Sequence, residues 1–306
     1  MIIPPYLKQG DTIGITCPAG SLSLDTIKPM VEQLTTWGFK VKIGKTVGTS
    51  YYKFSAKDDE RLSDLQAMLD DQNIKAILFG RGGYGTVRII DQIDFSSFLK
   101  HPKWILGYSD ITCFITHLHT QLNVCSIHGH MSGGYQKSDF DEESTQSIFN
   151  VLKGDKTTYA IPAHPLTREG DAEGILIGGN LSLIADNIGT KSDIETDGKI
   201  LFIEDIGEYK YNIDRMLWQL KRAEKLNRLK ALLVGGFTQI LDNETPFGMS
   251  EEEIVWEKVK DYSYPVYFNF PVGHQARNVA LKVGLPYKLK NNKLISLTEI
   301  EKSLLL

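Results

Sequence analysis

The sequence predicts an α/β protein with a mostly parallel sheet in its first half and a second, more β-rich half. Strand-like and helix-like segments alternate through the first half, and this alternation indicates parallel strands covered by helices on both faces. Of the 306 residues, 42% are hydrophobic and 24% are charged. This is an ordinary globular composition, with enough chain for one large or two modest domains.

The alternation can be followed segment by segment. Strands are predicted for the β-rich runs DTIGITCP, FKVKIG, KAILFG and WILGY. Helices are predicted between them because apolar residues recur three and four positions apart, for example at Leu62, Leu65, Met68 and Leu69. A helix is also predicted over TVRIIDQI, and another directly after Ser109.

Changes in composition predict the domain boundaries. Residues 1–150 form the predicted α/β domain, and the polar segment 151–172, which contains two prolines and no periodicity, is the predicted linker. Residues 173–306 form the predicted β-rich C-terminal domain. In that domain Ser250 starts a capping box with Glu253, and Asn291-Asn292 marks the turn of a hairpin.

Charge and cysteine content exclude several classes of function. The net charge of −4 and the pI near 6.0 give no basic footprint for nucleic acid. The three cysteines, Cys17, Cys113 and Cys125, form no CxxC pair and no disulfide framework, which favours a reducing compartment. No signal peptide and no apolar run of roughly 20 residues is apparent. We therefore expect a cytoplasmic protein with no membrane partner.

A glycine-rich turn follows the predicted strand KAILF. Gly80, Gly82 and Gly85 have the G-x-G-x-x-G spacing of a dinucleotide-binding turn, so a nicotinamide-dependent oxidoreductase is one hypothesis. The acidic residue that this motif also requires has only Asp110 as a candidate, on the helix side of its turn. Alternatively, the bare N–H groups of the turn bind an oxyanion opposite Ser109, or the glycines only permit a tight turn.

Ser109 stands where the predicted strand WILGY meets the next helix. It is either a helix cap or a nucleophile, although the turn lacks the second glycine of G-x-S-x-G. A nucleophilic serine needs a base and a group that orients the base. His274 follows an aromatic strand on a turn, and Glu204 ends the buried run KILFIED. The order Ser, Glu, His is that of the α/β-hydrolase triad, whereas the structural alternative for Glu204 is a salt bridge or a helix cap.

The other histidines give little reason to expect a metal site. His128 and His130 are two positions apart on a predicted strand, a spacing that permits a metal ligand pair, but no Cys, Asp or Glu partner lies nearby in sequence. His117 and His119 are interpreted as surface or packing residues. We therefore predict no metal.

Six blocks of sequence together resemble the LD-carboxypeptidases, a family of serine peptidases that includes the microcin-immunity peptidases. The blocks are GDTIGITCPAG, RGGYG, GYSDIT, IGGNLSLIADNIGT, LFIEDIGEYKYNIDRMLWQL and PVGH. They extend over nearly the whole chain. The resemblance implies a flavodoxin- or Rossmann-like N-terminal domain and a smaller β-rich C-terminal domain, with the active site between them. One departure is His130, where the family tends to have proline after His-Gly.

The resemblance also implies an activity that requires no cofactor. The expected reaction is hydrolysis of the L,D-peptide bond to the terminal D-alanine of murein tetrapeptide, used in cell-wall recycling. By the same match Ser109 is the nucleophile, His274 is the base and Glu204 is the acid that orients it.

Further residues receive roles from the resemblance. The backbone amides of Asp110 and Gly83 would form the oxyanion hole. Asn180, Arg81 and Tyr84 are the expected contacts of the peptide substrate. Because members of the family often pair, a homodimer is expected.

Three other functions stay open at this point. The first is an immunity-type peptidase that cleaves a peptidyl-nucleotide antibiotic, which the same resemblance permits. The second is the nicotinamide-dependent oxidoreductase suggested by the Gly80 turn. The third is a ligand-binding module on the same scaffold without catalysis.

Overall fold

The computed structural model describes residues 1–136 and 140–297, and two sheets organise them. The strands in chain order are β1 (Thr12–Thr16), β2 (Lys40–Ile43), β3 (Ile74–Phe79), β4 (Trp104–Gly107), β5 (Ser126–His128), β6 (Thr158–Ala160), β7 (Ala172–Asn180), β8 (Ile200–Ile206), β9 (Ala231–Thr238), β10 (Val266–Tyr267), β11 (Leu281–Val283), β12 (Pro286–Lys290) and β13 (Lys293–Ser296). The α-helices are α1 (Leu24–Thr36), α2 (Asp58–Asp70), α3 (Ser96–Lys100), α4 (Thr112–His117), α5 (Glu142–Lys153), α6 (Leu181–Asp186), α7 (Lys210–Arg222) and α8 (Glu251–Val259).

The first sheet has the strand order β2-β1-β3-β4-β5-β11. Its first five strands are parallel, and only β11 runs antiparallel, against β5. The central strands are apolar and almost entirely buried, as in β4, where every residue is buried. Such strands need cover on both faces, which explains why the chain alternates strands with helices here. The predicted α/β class is confirmed.

The second sheet has the order β10-β9-β8-β7-β12-β13-β6. The strands from β7 to β10 are parallel, and β12, β13 and β6 add an antiparallel part. The hairpin between β12 and β13 turns at Asn291 and Asn292, whose φ angles are 49° and 54°. Asparagine tolerates this left-handed conformation better than most residues, so the predicted hairpin is confirmed.

Two short strands connect the halves of the chain. Strand β6 lies inside the predicted linker 151–172 and joins the second sheet through β13. Strand β11, from the C-terminal half, completes the edge of the first sheet beside β5. The boundaries at 150 and 173 therefore stay a prediction, and one strand of the C-terminal half, β11, crosses into the first sheet.

Several predicted helices are confirmed and one is wrong. The capping box of Ser250 and Glu253 opens α8 as expected. The segment TVRIIDQI, predicted to be a helix, forms two short 3-10 turns, Thr86–Arg88 and Ile90–Gln92. It starts from Gly85, whose φ of 144° is far from helical values and which has no side chain of its own to cap the turn, and a regular α-helix does not begin there. None of the helices in the described ranges combines the length and the apolar character needed to span a bilayer.

Candidate active site

Ser109 occupies a strained turn between β4 and α4. Its φ is 63°, a left-handed conformation that is uncommon for a residue other than glycine and stores on the order of 1 kcal/mol or more. Its side chain caps neither the short 3-10 turn Ser109–Ile111 nor α4. The residue is half-buried, so the hydroxyl stays accessible. Of the two interpretations of Ser109, the geometry favours a side chain presented for chemistry over a helix cap.

The glycine turn lies directly against Ser109, because β3 and β4 are parallel neighbours. A methyl group placed on Gly82 would be 3.0 Å from Ser109 Cβ and 3.3 Å from the backbone nitrogen of Asp110. The adjacent Gly83 is exposed and has a φ of 97°. Only residues without a side chain allow the two turns to approach this closely.

Asp110 ties the two turns together through its buried carboxylate. Its oxygens accept hydrogen bonds from the backbone N–H groups of Gly85, at 3.3 Å, and Thr86, at 2.9 Å. A dinucleotide pyrophosphate would need such amides at the start of an α-helix. Here a carboxylate occupies them and only 3-10 turns follow. This arrangement argues against the oxidoreductase hypothesis.

His274 and Glu204 form a hydrogen-bonded pair, in which Glu204 lies within β8 and His274 lies on the loop between β10 and β11. His274 Nδ1 lies 2.7 Å from Glu204 Oε2, and the Glu204 side chain is completely buried. A ring that donates from Nδ1 to the carboxylate keeps Nε2 unprotonated and able to act as a base. The His274 ring packs on Tyr108, with 4.7 Å between ring centroids, and Tyr108 precedes Ser109. The fold thus brings the three predicted catalytic residues into one region.

Sequence analysis missed two residues that shape this pair. Gly273 has a φ of 110°, and a methyl group there would lie 2.6 Å from Glu204 Cβ. Asn278, which is fully buried, accepts a hydrogen bond from the Gly273 N–H at 2.9 Å and so holds the histidine turn. The glycine before His274 is the one signal in the sequence that could have indicated this close packing.

Asn180 belongs to the buried part of the site. It is only 3% exposed, and its side-chain oxygen caps α6 at Leu183 N. Its Nδ2 donates to Asp205 Oδ1 at 2.9 Å. Burial, and to a smaller extent the charge of Glu204, raises the pKa of Asp205 to about 7, although Asn180 donates a hydrogen bond to its carboxylate. The Asn180 side chain therefore serves the frame of the site, and its contact with the peptide substrate stays a prediction.

Arg81 and Tyr84 flank the glycine turn on the solvent side. Arg81 is exposed, donates to the Ser21 carbonyl at 2.9 Å, and lines a cavity of about 490 Å³. Tyr84 is 44% exposed, with its ring 6.1 Å from that of Phe54 and under the Lys53 ammonium. Both positions suit an incoming ligand, and their substrate contacts stay a prediction.

His117 serves packing. His117 stacks on Phe95 and hydrogen-bonds to Ser192 at 3.1 Å. In the part of the chain that the structure describes, no group of three or more His, Cys, Asp or Glu side chains is arranged to hold a metal ion.

A strained serine beside a glycine turn and a buried histidine–carboxylate pair, on an α/β scaffold, are the features of a hydrolase. Two family models match the chain: the LD-carboxypeptidase N-terminal domain over residues 13–129 and the LD-carboxypeptidase C-terminal domain over residues 173–289. The chain belongs to the LD-carboxypeptidase family, whose members are serine peptidases. The resemblance found in the six sequence blocks is confirmed.

Curated relatives support the same family. The chain is 38% identical to the probable murein peptide carboxypeptidase of Bacillus subtilis, over 92% of this chain and 89% of that protein. It is 29% identical to the murein tetrapeptide carboxypeptidase of Pseudomonas aeruginosa, over 92% of both chains.

Solved structures agree in fold. The muramoyltetrapeptide carboxypeptidase of Oxalobacter formigenes superposes with a TM-score of 0.83 at 27% identity, covering 93% of this chain and 97% of the other. The microcin C7 self immunity protein MccF, in complex with aspartyl sulfamoyl adenosine, gives a TM-score of 0.86 at 21% identity, covering 98% and 99%. At that identity the second likeness concerns the fold alone.

Proposed function

We propose that this protein hydrolyses the L,D-peptide bond to the terminal D-alanine of murein tetrapeptide. The observation that carries the proposal is the 2.7 Å contact between His274 and the buried Glu204, next to a serine held at a φ of 63°. The relatives named for murein peptides support the choice of substrate. Ser109 is the proposed nucleophile, His274 the base and Glu204 the acid that orients it.

The first half of the proposed reaction forms an acyl-enzyme. Ser109 Oγ attacks the carbonyl carbon that precedes D-alanine while His274 Nε2 takes the hydroxyl proton. The oxygen of the tetrahedral intermediate becomes negative and accepts hydrogen bonds from the amides of Asp110 and Gly83, the proposed oxyanion hole. The carboxylate of Glu204 stabilises the imidazolium that forms.

The second half regenerates the enzyme. The C–N bond breaks, His274 returns its proton to the leaving amine, and D-alanine departs. Water then adds to the acyl carbon with His274 as base, the bond from that carbon to Ser109 Oγ breaks as His274 returns the proton to Oγ, and the tripeptide is released. Arg81 and Tyr84 are the proposed contacts of the anionic peptide, because both are exposed beside the glycine turn.

The biological setting is part of the same proposal. A carboxypeptidase that trims murein tetrapeptide would act in cell-wall recycling in the cytoplasm, as a homodimer. The second candidate is cleavage of a peptidyl-nucleotide, and the observation in its favour is the fold shared with MccF.

Release of D-alanine from purified murein tetrapeptide tests the proposal. We expect release by the wild type and a loss of about 10³-fold or more in kcat for Ser109→Ala. Ser63→Ala is the control, because Ser63 is exposed on α2 and has no proposed chemical role. Absence of D-alanine release, together with cleavage of aspartyl sulfamoyl adenosine, would replace the murein proposal by the peptidyl-nucleotide one.

A further inference from the structure

A fully buried imidazole, that of His128, lies behind the proposed catalytic residues and has no role in the reaction described above. His128 ends β5, and its backbone pairs with Gly107 of β4, two residues before Ser109. The His128 ring packs edge-to-face against the Tyr108 ring, with 5.8 Å between the two centroids, and against the Phe202 ring, with 5.0 Å between the two centroids. The His128 ring therefore contacts the segment that carries Ser109 and the strand that carries Glu204.

The same ring faces the Glu204 carboxylate. Phe202 and Glu204 are two positions apart on β8, so their side chains point to the same face of the strand. Burial lowers the pKa of His128 to about 4, and the charge of Glu204 is the strongest opposing influence. His274 and His130 lower this pKa further, and the Asn278 side chain raises it. The His128 ring is consequently neutral near neutral pH.

Four buried polar atoms of these residues have no hydrogen-bond partner in the described part of the chain. They are Glu204 Oε1, Asn278 Nδ2 and the two ring nitrogens of His128. An unpaired buried polar atom costs on the order of 1–3 kcal/mol, and a single buried water with two to four hydrogen bonds commonly satisfies such groups. The other oxygen of Glu204 is already bound to His274, and Asn278 Oδ1 already holds Gly273.

We propose that His128 is a positioning residue: with Asn278 it holds one buried water against Glu204 Oε1, and so fixes the carboxylate that orients His274. Three of the four unpaired atoms match the bonds of one water, and the protonated ring nitrogen of His128 takes no part. Asn278 Nδ2 donates to the water, and the water donates one proton to Glu204 and the other to the unprotonated nitrogen of His128. This inference rests on the function proposed above.

His128→Phe tests the inference, because phenylalanine keeps a planar ring and removes both nitrogens. We expect kcat for D-alanine release to fall by up to roughly 100-fold, the loss expected when a catalytic group shifts by about 1 Å. KM should change by less than about twofold, because His128 does not touch substrate in the proposal. The pH profile of kcat should also differ from that of the wild type, because the Glu204 carboxylate loses a hydrogen bond.

Two further variants sharpen the test. His128→Gln keeps a donor and an acceptor, so it should retain more activity than His128→Phe. His119→Phe is the matched control. Burial also lowers the pKa of His119 to about 4 and its Nδ1 also has no partner in the described residues, but its ring lies beside Gly284. It should behave like the wild type in kcat and in pH profile.

The outcomes separate this inference from the proposed function. Covalent labelling of Ser109 by a fluorophosphonate reports the nucleophile without any peptide. A wild type that neither labels nor releases D-alanine refutes the proposed function and this inference with it. An active wild type matched by His128→Phe in kcat and pH profile overturns the positioning role alone. If His128→Phe fails to fold, a high-resolution crystal structure of the wild type tests the positioning role instead. A water hydrogen-bonded to both Glu204 Oε1 and His128 supports the role, and the absence of a water between them overturns it.

Discussion

Replacing Gly82 by alanine is the sharpest perturbation of the proposed oxyanion site. The added methyl would stand 3.0 Å from Ser109 Cβ, 3.2 Å from Ser109 Oγ and 3.3 Å from the Asp110 nitrogen. Ordinary contacts begin at 3.4 Å, so the nucleophile turn must give by a few tenths of an ångström. An oxyanion within hydrogen-bond distance of the Asp110 amide would also meet this methyl.

The size of the effect follows from that geometry. Loss of one hydrogen-bond donor to the oxyanion costs about 10²- to 10³-fold in kcat. The kcat of Gly82→Ala should therefore fall by that factor, while its KM changes little. Stability should change by no more than about 1 kcal/mol, because Gly82 has no positive φ and alanine reduces the entropy of the unfolded chain.

The assay is D-alanine release, accompanied by urea unfolding followed by circular dichroism. Gly133→Ala is the matched control: Gly133 also lacks a positive φ, and nothing lies within 4 Å of its added methyl. We expect Gly133→Ala to match the wild type in both measurements. A Gly82→Ala variant with wild-type kcat and an unchanged unfolding midpoint would refute the placement of the oxyanion at the Asp110 amide.

Two further predictions concern stability. His128 is protonated near pH 6.5 in the unfolded chain and only near pH 4 in the folded protein. As the pH rises from 4 to 6.5, the free energy of unfolding of the wild type should therefore increase relative to that of His128→Phe, by up to about 3 kcal/mol. Parallel curves of unfolding free energy against pH for the two proteins, measured in urea, would contradict this. Asp110→Ala leaves the N–H groups of Gly85 and Thr86 without their acceptor and should lower the unfolding free energy by about 2 kcal/mol or more. Asp110→Asn, which keeps an acceptor oxygen, should lose less unfolding free energy. Equal losses for the two variants would show that the hydrogen bonds from Gly85 and Thr86 contribute nothing to stability.

Local patterns in the sequence predicted much of this protein. The alternation of apolar strands and amphipathic helices gave the parallel sheet, because periodicity over consecutive residues decides which face is buried. The positions of Ser109, Glu204 and His274 were visible for a similar reason, since polar side chains there follow or interrupt apolar runs. Local chemistry also predicted the hairpin at Asn291 and the capping box at Ser250.

Contacts between distant residues required the tertiary structure. Glu204 and His274 are 70 positions apart, and only the packing of their segments brings the carboxylate to the imidazole. The same packing directs the Asn180 amide to a buried aspartate instead of open space, and encloses His128 between two catalytic segments. The left-handed φ of Ser109 likewise depends on surroundings that outweigh its intrinsic cost. Burial and backbone strain depend on all the neighbours of a residue, whereas periodicity and strand-end chemistry depend on the residues beside it in the chain.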